Sequence, residues 1–262
     1  MHLRACLFGA VVLMSMPVAA EDGKSGAFEP RRVTVTEEGQ PVEFRYRLLR
    51  PATVAAETRY PVILFLHGAG ERGSDNDRHL HHFANWMAEA PQRTAHPCFL
   101  VAPQCREKHA WSVFDWDTSQ PASLPDAPTT DMAAALAALD AVLAAEPAAD
   151  PDRVYLTGLS MGGYGSWDLA ARMPERFAAA LPICGGADVA TANRLTKLPI
   201  WCFHGEADPV VPVDLSRAMI AAVKAAGGTP IYSELPCVGH DSWTPAYHNP
   251  AVLDWLFAQR RR

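Results

Sequence analysis

Two periodicities divide the chain. Arg32-Val33-Thr34-Val35-Thr36 alternates polar and apolar positions at period two. Glu38-Gly39-Gln40 supplies turn residues, and Val42 to Leu49 resumes extended structure. This pattern predicts an antiparallel hairpin. Pro51 to Tyr60 reads as a linking loop, and the pattern then changes. Pro61-Val62-Ile63-Leu64-Phe65-Leu66 is a continuous apolar run, the mark of a strand buried on both faces. Further strands are predicted over 97–103, 153–157, 178–184, 199–204 and 230–235. Between them, helices are predicted over 77–90, 130–146, 161–173, 215–226 and 250–260. In the second of these helices Met132, Leu136, Leu139 and Val142-Leu143 share one face. Thr129 or Thr130 can cap its start, and Pro147 stops it. Gly227-Gly228 closes the fourth.

Strand and helix therefore alternate to the C-terminus. That order implies an α/β fold with a mostly parallel, doubly wound sheet in three layers. No internal repeat or low-complexity break interrupts residues 31–262, so one domain is expected there. The least regular long stretch, Arg106 to Pro128, carries Trp111, Phe114 and Trp116. Loops of that length are usually functional or disordered, and the aromatics favour function.

Residues 1–20 read as a secretory signal peptide. Arg4 gives the positive start, Ala5 to Met16 an apolar core too short for a membrane helix, and Val18-Ala19-Ala20 a small-residue cleavage site. Cys6 precedes that core, whereas a lipoprotein cysteine follows it, so lipidation is not expected. Residues 21–30 read as a disordered lead-in. The protein is then expected outside the cytoplasm, secreted or periplasmic, with no membrane association after cleavage.

Among 262 residues the formal net charge is -6. That balance excludes nucleic acid as the main partner, because phosphate binding requires a basic face. Arg260-Arg261-Arg262 is the one dense basic run and reads as a solvated end. Export would place Cys98, Cys105, Cys184, Cys202 and Cys237 in an oxidising compartment. Cys98 and Cys105 flank one predicted strand, whose seven residues span roughly 23 Å, too far for a bridge. Cys202 and Cys237 sit on or beside the last two strands, which can be neighbours, and so can pair; the alternative is a set of buried, inert thiols. None has zinc-site spacing with histidine.

The candidate chemistry begins at Gly158-Leu159-Ser160-Met161-Gly162. A serine hydroxyl is a weak nucleophile and needs a base, an acid to orient the base, and donors for the oxyanion. This pentapeptide matches the G-x-S-x-G nucleophile elbow, and its predicted strand-then-helix context suits that role. The acid is expected beyond the next strand but one, in His204-Gly205-Glu206-Ala207-Asp208-Pro209. Asp208 is the candidate, with Glu206 and Asp188 as rivals. His240, in Gly239-His240-Asp241 after the last strand, is the candidate base. Oxyanion donors are expected from the N–H groups of Met161 and Ala69, with Gly68 or Gly70 as rivals to Ala69. His67 is expected to order that loop. His79, His81 and His82 lack a carboxylate or cysteine at ligand spacing and read as a solvated or packed face, not a metal site.

Several motifs together resemble the α/β-hydrolase superfamily. They are Leu66-His67-Gly68-Ala69-Gly70-Glu71-Arg72-Gly73, Ala102-Pro103-Gln104-Cys105, Gly158 to Gly163, His204 to Pro209, and Gly239-His240-Asp241-Ser242-Trp243. Within the superfamily they resemble the secreted bacterial predicted-peptidase and phospholipase/carboxylesterase-like group. They are also similar to feruloyl and acetylxylan esterases of carbohydrate esterase family 1, and to dienelactone-hydrolase and prolyl-oligopeptidase catalytic domains. The resemblance covers roughly Val33 to Arg260. It implies an α/β-hydrolase sandwich without a large cap, a Ser160–His240–Asp208 triad, and no metal or cofactor.

The expected function is a secreted serine carboxylesterase acting on small-molecule or polysaccharide-linked esters, such as feruloyl or acetyl esters of plant polysaccharides or short-chain and aryl esters. Trp111, Trp116, Tyr164 and Trp243 are candidate walls of its pocket. The alternatives are a prolyl-oligopeptidase-like serine peptidase and a catalytically silent hydrolase fold used for binding.

Overall fold

The computed structural model describes residues 26–115 and 117–261. The expected signal peptide, residues 21–25 of the expected lead-in, Trp116 and Arg262 lie outside the described residues. β1 (Phe28–Glu37) and β2 (Gln40–Leu49) form the hairpin. Glu37 pairs with Gln40, leaving Glu38 and Gly39 as a two-residue turn with φ of 49° and 79°. Positive φ at both turn residues matches the twist of the flanking strands. The hairpin starts earlier than the sequence suggests. Phe28 to Pro30 belong to β1 rather than to a disordered lead-in, because Phe28 buries its ring and pairs with Leu49.

Six more strands follow: β3 (Tyr60–Leu66), β4 (Phe99–Pro103), β5 (Ala149–Leu159), β6 (Ala179–Ile183), β7 (Trp201–Gly205) and β8 (Ile231–Leu235). The eight-stranded sheet runs β1-β2-β4-β3-β5-β6-β7-β8. β1, β2 and β4 pair antiparallel, and all pairings from β4 through β8 are parallel. The helices are α1 (Phe83–Met87), α2 (Ala90–Ala95), α3 (Thr130–Ala145), α4 (Met161–Arg172), α5 (Val213–Ala225), α6 (Trp243–Tyr247) and α7 (Pro250–Ala258). None of the described helices is long and apolar enough to cross a membrane.

β3 shows how its apolar run builds three layers. Val62, Leu64 and Leu66 point into one core with Met132, Leu139 and Val142 of α3, Trp167 of α4 and Met219 of α5. Ile63 and Phe65 point into the other with Phe83 of α1, Tyr247 of α6 and Leu253 of α7. A strand's side chains alternate between faces, so a run apolar at every position is buried from both sides. Thr129 supplies the cap of α3, accepting from Met132 N–H at 3.1 Å.

Two helical expectations need correction. Residues 77–90 are not one helix but a short 3-10 turn (Arg78–Leu80), then α1, with α2 beginning at Ala90. The interruption is His82, whose φ of 63° and ψ of -115° no continuous helix admits. The segment after β8 adds α6, which the sequence pattern did not separate, and α7 stops at Ala258 rather than Arg260.

Candidate active site

β3 and β5 are neighbours, with Leu66 opposite Gly158. The His67–Gly70 loop and the Ser160 turn therefore leave the sheet side by side. The Ser160 turn is sharp, with φ of 53° and ψ of -117° at Ser160 and α4 starting at the next residue. Only glycine fits around it. A Cβ on Gly162 would lie 1.8 Å from Leu66 O, and one on Gly158 would lie 2.4 Å from Gly162 O. The Ser160 N–H donates to Ile183 O at 3.0 Å, which ties the turn to β6.

Three side chains from three loops meet here. His240 Nε2 lies 3.0 Å from Ser160 Oγ, and His240 Nδ1 lies 2.8 Å from Asp208 Oδ2. Asp208 stands just beyond β7. Its Oδ1 accepts the N–H groups of Val210 at 2.8 Å and Val211 at 3.0 Å. His204 Nε2 approaches its Oδ2 at 3.3 Å and also lies 3.0 Å from Val211 O. Burial pushes the Asp208 carboxyl up, but hydrogen bonds from His204, His240 and the two backbone N–H groups outweigh it and hold the acid well below its usual range. It is a carboxylate at neutral pH. Of the rivals, Glu206 accepts Cys237 N–H, and Asp188 caps the next 3-10 segment by accepting Ala190 N–H. His204 was not singled out from the sequence as a partner of Asp208. Its signal was its place in a buried strand, four residues before the acid.

His67 orders the neighbouring loop. Its Nε2 accepts Cys105 N–H at 2.9 Å, so the proton sits on Nδ1, which donates to Gly68 O at 2.6 Å. Trp111 Nε1 donates to His67 O at 2.9 Å and its ring meets the imidazole edge-on. Ala69 opens a 3-10 turn (Ala69–Glu71) directly after Gly68, and a Cβ on Gly68 would strike Leu159 Cδ1 at 2.8 Å. The turn is thus pressed against the residue preceding Ser160. No hydrogen bond among the described residues occupies the N–H of Ala69 or Met161.

Burial pushes the His67 imidazole down to about 4, and His79, which donates to Ala102 O, well below its usual value. Both are neutral in the folded protein and protonate on unfolding below pH 6.5. Unfolding then takes up protons, so stability present above pH 6.5 is lost as pH falls toward 4, by about 1.4 kcal/mol per pH unit for each histidine. Denaturant titrations should show a falling midpoint from pH 6.5 to 4.5; a flat profile would contradict the neutral assignment.

The four candidate wall residues separate. Trp111 is buried behind the His67 loop as its brace, not in a pocket. Tyr164 is also buried: its ring stacks on Phe114 at 4.4 Å and its hydroxyl donates to Ser119 O, so it supports the 106–128 loop from below. Both bury because each carries a large apolar ring whose polar atom finds a carbonyl inside. Trp116 lies outside the described residues. Of the three described candidates, Trp243 alone stands at the site, edge-on to His240 at 5.2 Å. The 106–128 loop reaches the site's rim, where Ser119 Oγ donates to Val210 O at 2.9 Å, beside Asp208. A small hollow beneath it is lined by Ser112, Leu124, Tyr164, Asp168 and Asp188 and includes none of Ser160, Asp208 or His240.

The histidine run divides likewise, with His79 packed and His81 and His82 exposed. All five described cysteines are free. Cys202 is buried against Ser216 and Cys237 is exposed, so the possible Cys202–Cys237 bridge is not formed. Burial pushes the Cys98 and Cys202 thiols up to about 12 and raises Cys105 and Cys184 too, which leaves these four inert. Cys184 Sγ, Asp208 and His240 bring ligating atoms within 4.8 Å of one another. The hydrogen bonds of Asp208 and His240 already account for their approach.

Comparison with known proteins agrees with the fold. Over 90% of its length the chain superposes on the crystal structure of a thermostable esterase with a TM-score of 0.80 and 39% identity, covering 64% of that protein. It also superposes on the acylaminoacyl peptidase of Pyrococcus horikoshii, with a TM-score of 0.64 over 90% of this chain and 42% of that one; at 17% identity this likeness shows the α/β-hydrolase fold alone. A probable inactive carboxylesterase of Oryza sativa subsp. japonica is 26% identical over 73% of this chain and 82% of its own. Poly(3-hydroxyalkanoate) depolymerase C of Paucimonas lemoignei is 30% identical over 48% of this chain and 28% of its own. The family described as "Putative esterase" matches residues 39–225, a span that includes Ser160 and Asp208 and ends before His240. With most of its length matched, and with the α/β-hydrolase sheet built around Ser160, the chain belongs to this esterase family.

Proposed function

We propose that the protein is a serine carboxylesterase in which Ser160 is the nucleophile, His240 the general base and acid, and Asp208 the residue that orients His240. The observation that carries this reading is the unbroken chain Ser160 Oγ–His240 Nε2 at 3.0 Å and His240 Nδ1–Asp208 Oδ2 at 2.8 Å. His240 takes the Ser160 proton as Oγ attacks the ester carbonyl. The resulting oxyanion is met by the N–H groups of Met161 and Ala69. The carbonyl–alkoxide bond breaks, His240 returns the proton to the leaving alcohol, and the acyl group remains on Ser160. Water then attacks the acyl-enzyme with His240 again as base, releasing the acid. No step requires a metal or cofactor.

The natural substrates in this reading are short-chain or aryl esters, including feruloyl or acetyl esters of plant polysaccharides. The indole of Trp243 beside His240 supports a planar group on that side. Residues 1–20 act as an export signal, which takes the enzyme to polymeric substrates outside the cell. The peptidase reading rests on the shared fold, and the silent-fold reading on the name of the rice relative; against the latter stands the hydrogen-bonded array in this chain.

One panel separates the three. p-Nitrophenyl acetate, butyrate and octanoate, methyl ferulate and aminoacyl-arylamides are offered to the purified protein. Turnover of the short esters without the arylamides is expected. Preference for the amides would favour the peptidase, and turnover of nothing would favour a binding fold.

A further inference from the structure

His82 breaks the helix that its neighbours would otherwise form, and its backbone is the telling feature. Its φ of 63° and ψ of -115° would be ordinary only for glycine and are almost the conformation of Ser160, with φ of 53° and ψ of -117°. Such a conformation is costly for any residue with a Cβ and persists where the surroundings enforce it. At Ser160 it lifts a working side chain clear of the backbone. At His82 it presents an imidazole between two other groups. His82 Nε2 lies 3.6 Å from Glu71 Oε1, and the ring meets Trp243 at 5.3 Å and 60°. Trp243 in turn meets His240 at 5.2 Å and 89°.

We propose that His82 is a positioning residue for the esterase reaction, buttressing Trp243 so that Trp243 holds the ring of His240. The inference rests on the esterase reading above. The hydrogen bonds at Nδ1 and Nε2 of His240 define an axis through its ring but do not resist rotation about that axis. Packing against the ring must do so, and Trp243, perpendicular to it with centroids 5.2 Å apart, supplies that packing. Trp243 has no hydrogen bond of its own to fix it, since its buried Nε1 finds no partner among the described residues. Its orientation therefore depends on what it packs against. Glu71 anchors the other end and belongs to the same 3-10 turn as Ala69. Base and oxyanion donor are thus held in one frame through Glu71, His82 and Trp243.

The test uses His82→Gly, because glycine accepts the backbone conformation without strain and only the imidazole is lost. On a soluble ester, kcat should fall about tenfold with KM within about twofold, since small misplacement of reacting groups is expensive. The melting temperature should stay level or rise, which a merely structural role would not produce. His82→Phe, which keeps a ring against Trp243, should recover most of kcat. Trp243→Ala should lose as much as His82→Gly, and the double variant should be no worse than Trp243→Ala alone, as for groups acting in series. Wild-type kcat in His82→Gly, additive losses in the double variant, or a raised KM at unchanged kcat would each overturn the proposal. If the wild type itself turns over no ester and does not label at Ser160, the esterase reading has failed instead.

Discussion

Ser160→Ala should remove ester turnover, lowering kcat on the order of 10⁴-fold or more, as for other nucleophiles that act as one unit with their base. The loss should be chemical rather than structural. The backbone at position 160 is set by Gly158 and Gly162, which have no room for a Cβ, and by the N–H bond to Ile183 O. Alanine keeps that N–H and bears the same backbone cost as serine, so the melting temperature should match the wild type. Steady-state kinetics on p-nitrophenyl butyrate beside a thermal melt would check both halves. A variant that melts early would mean the hydroxyl itself holds the turn.

Asp208→Asn should cost about 10⁴-fold in kcat with the fold intact, because it reverses the hydrogen bond that orients His240. Asp208 Oδ1 accepts the Val210 and Val211 N–H groups, so an asparagine would keep its carbonyl there and turn its amide N–H₂ toward His240 and His204. His240 Nδ1 would then have to accept, moving the ring proton to Nε2, where it faces Ser160 Oγ. In that tautomer His240 cannot take the serine proton. Measured kcat within tenfold of the wild type would show that another acceptor, such as Glu206, orients the base.

The parts of the molecule legible in the sequence are those in which local pattern and burial agree. The apolar run of β3, the hairpin turn at Glu38-Gly39 and the helix face of α3 each follow from one periodicity. Ser160, Asp208 and His240 could be placed because each sits just past the end of a strand, where side chains from separate loops can converge. What the pattern concealed lies where tertiary contact overrides it. His82 sits in a sequence with helical spacing, and nothing local announces a positive φ. Trp111 lies in an irregular stretch with no period to separate burial from exposure, and Tyr164 lies in α4, a helix buried on nearly every side. Their partners, His67 O and Ser119 O, are far away in sequence. His204 was hidden for the same reason, since its service to Asp208 depends on the turn at Val210-Val211.

The proposed activation of Ser160 by His240 is open to a chemical test. Treating the wild-type protein with a fluorophosphonate and mapping the modified peptide by mass spectrometry tests it most directly. One adduct per chain is expected, on Ser160, forming in step with the loss of ester turnover and absent from Ser160→Ala. An adduct on a different residue, or full turnover with Ser160 unmodified, would contradict it.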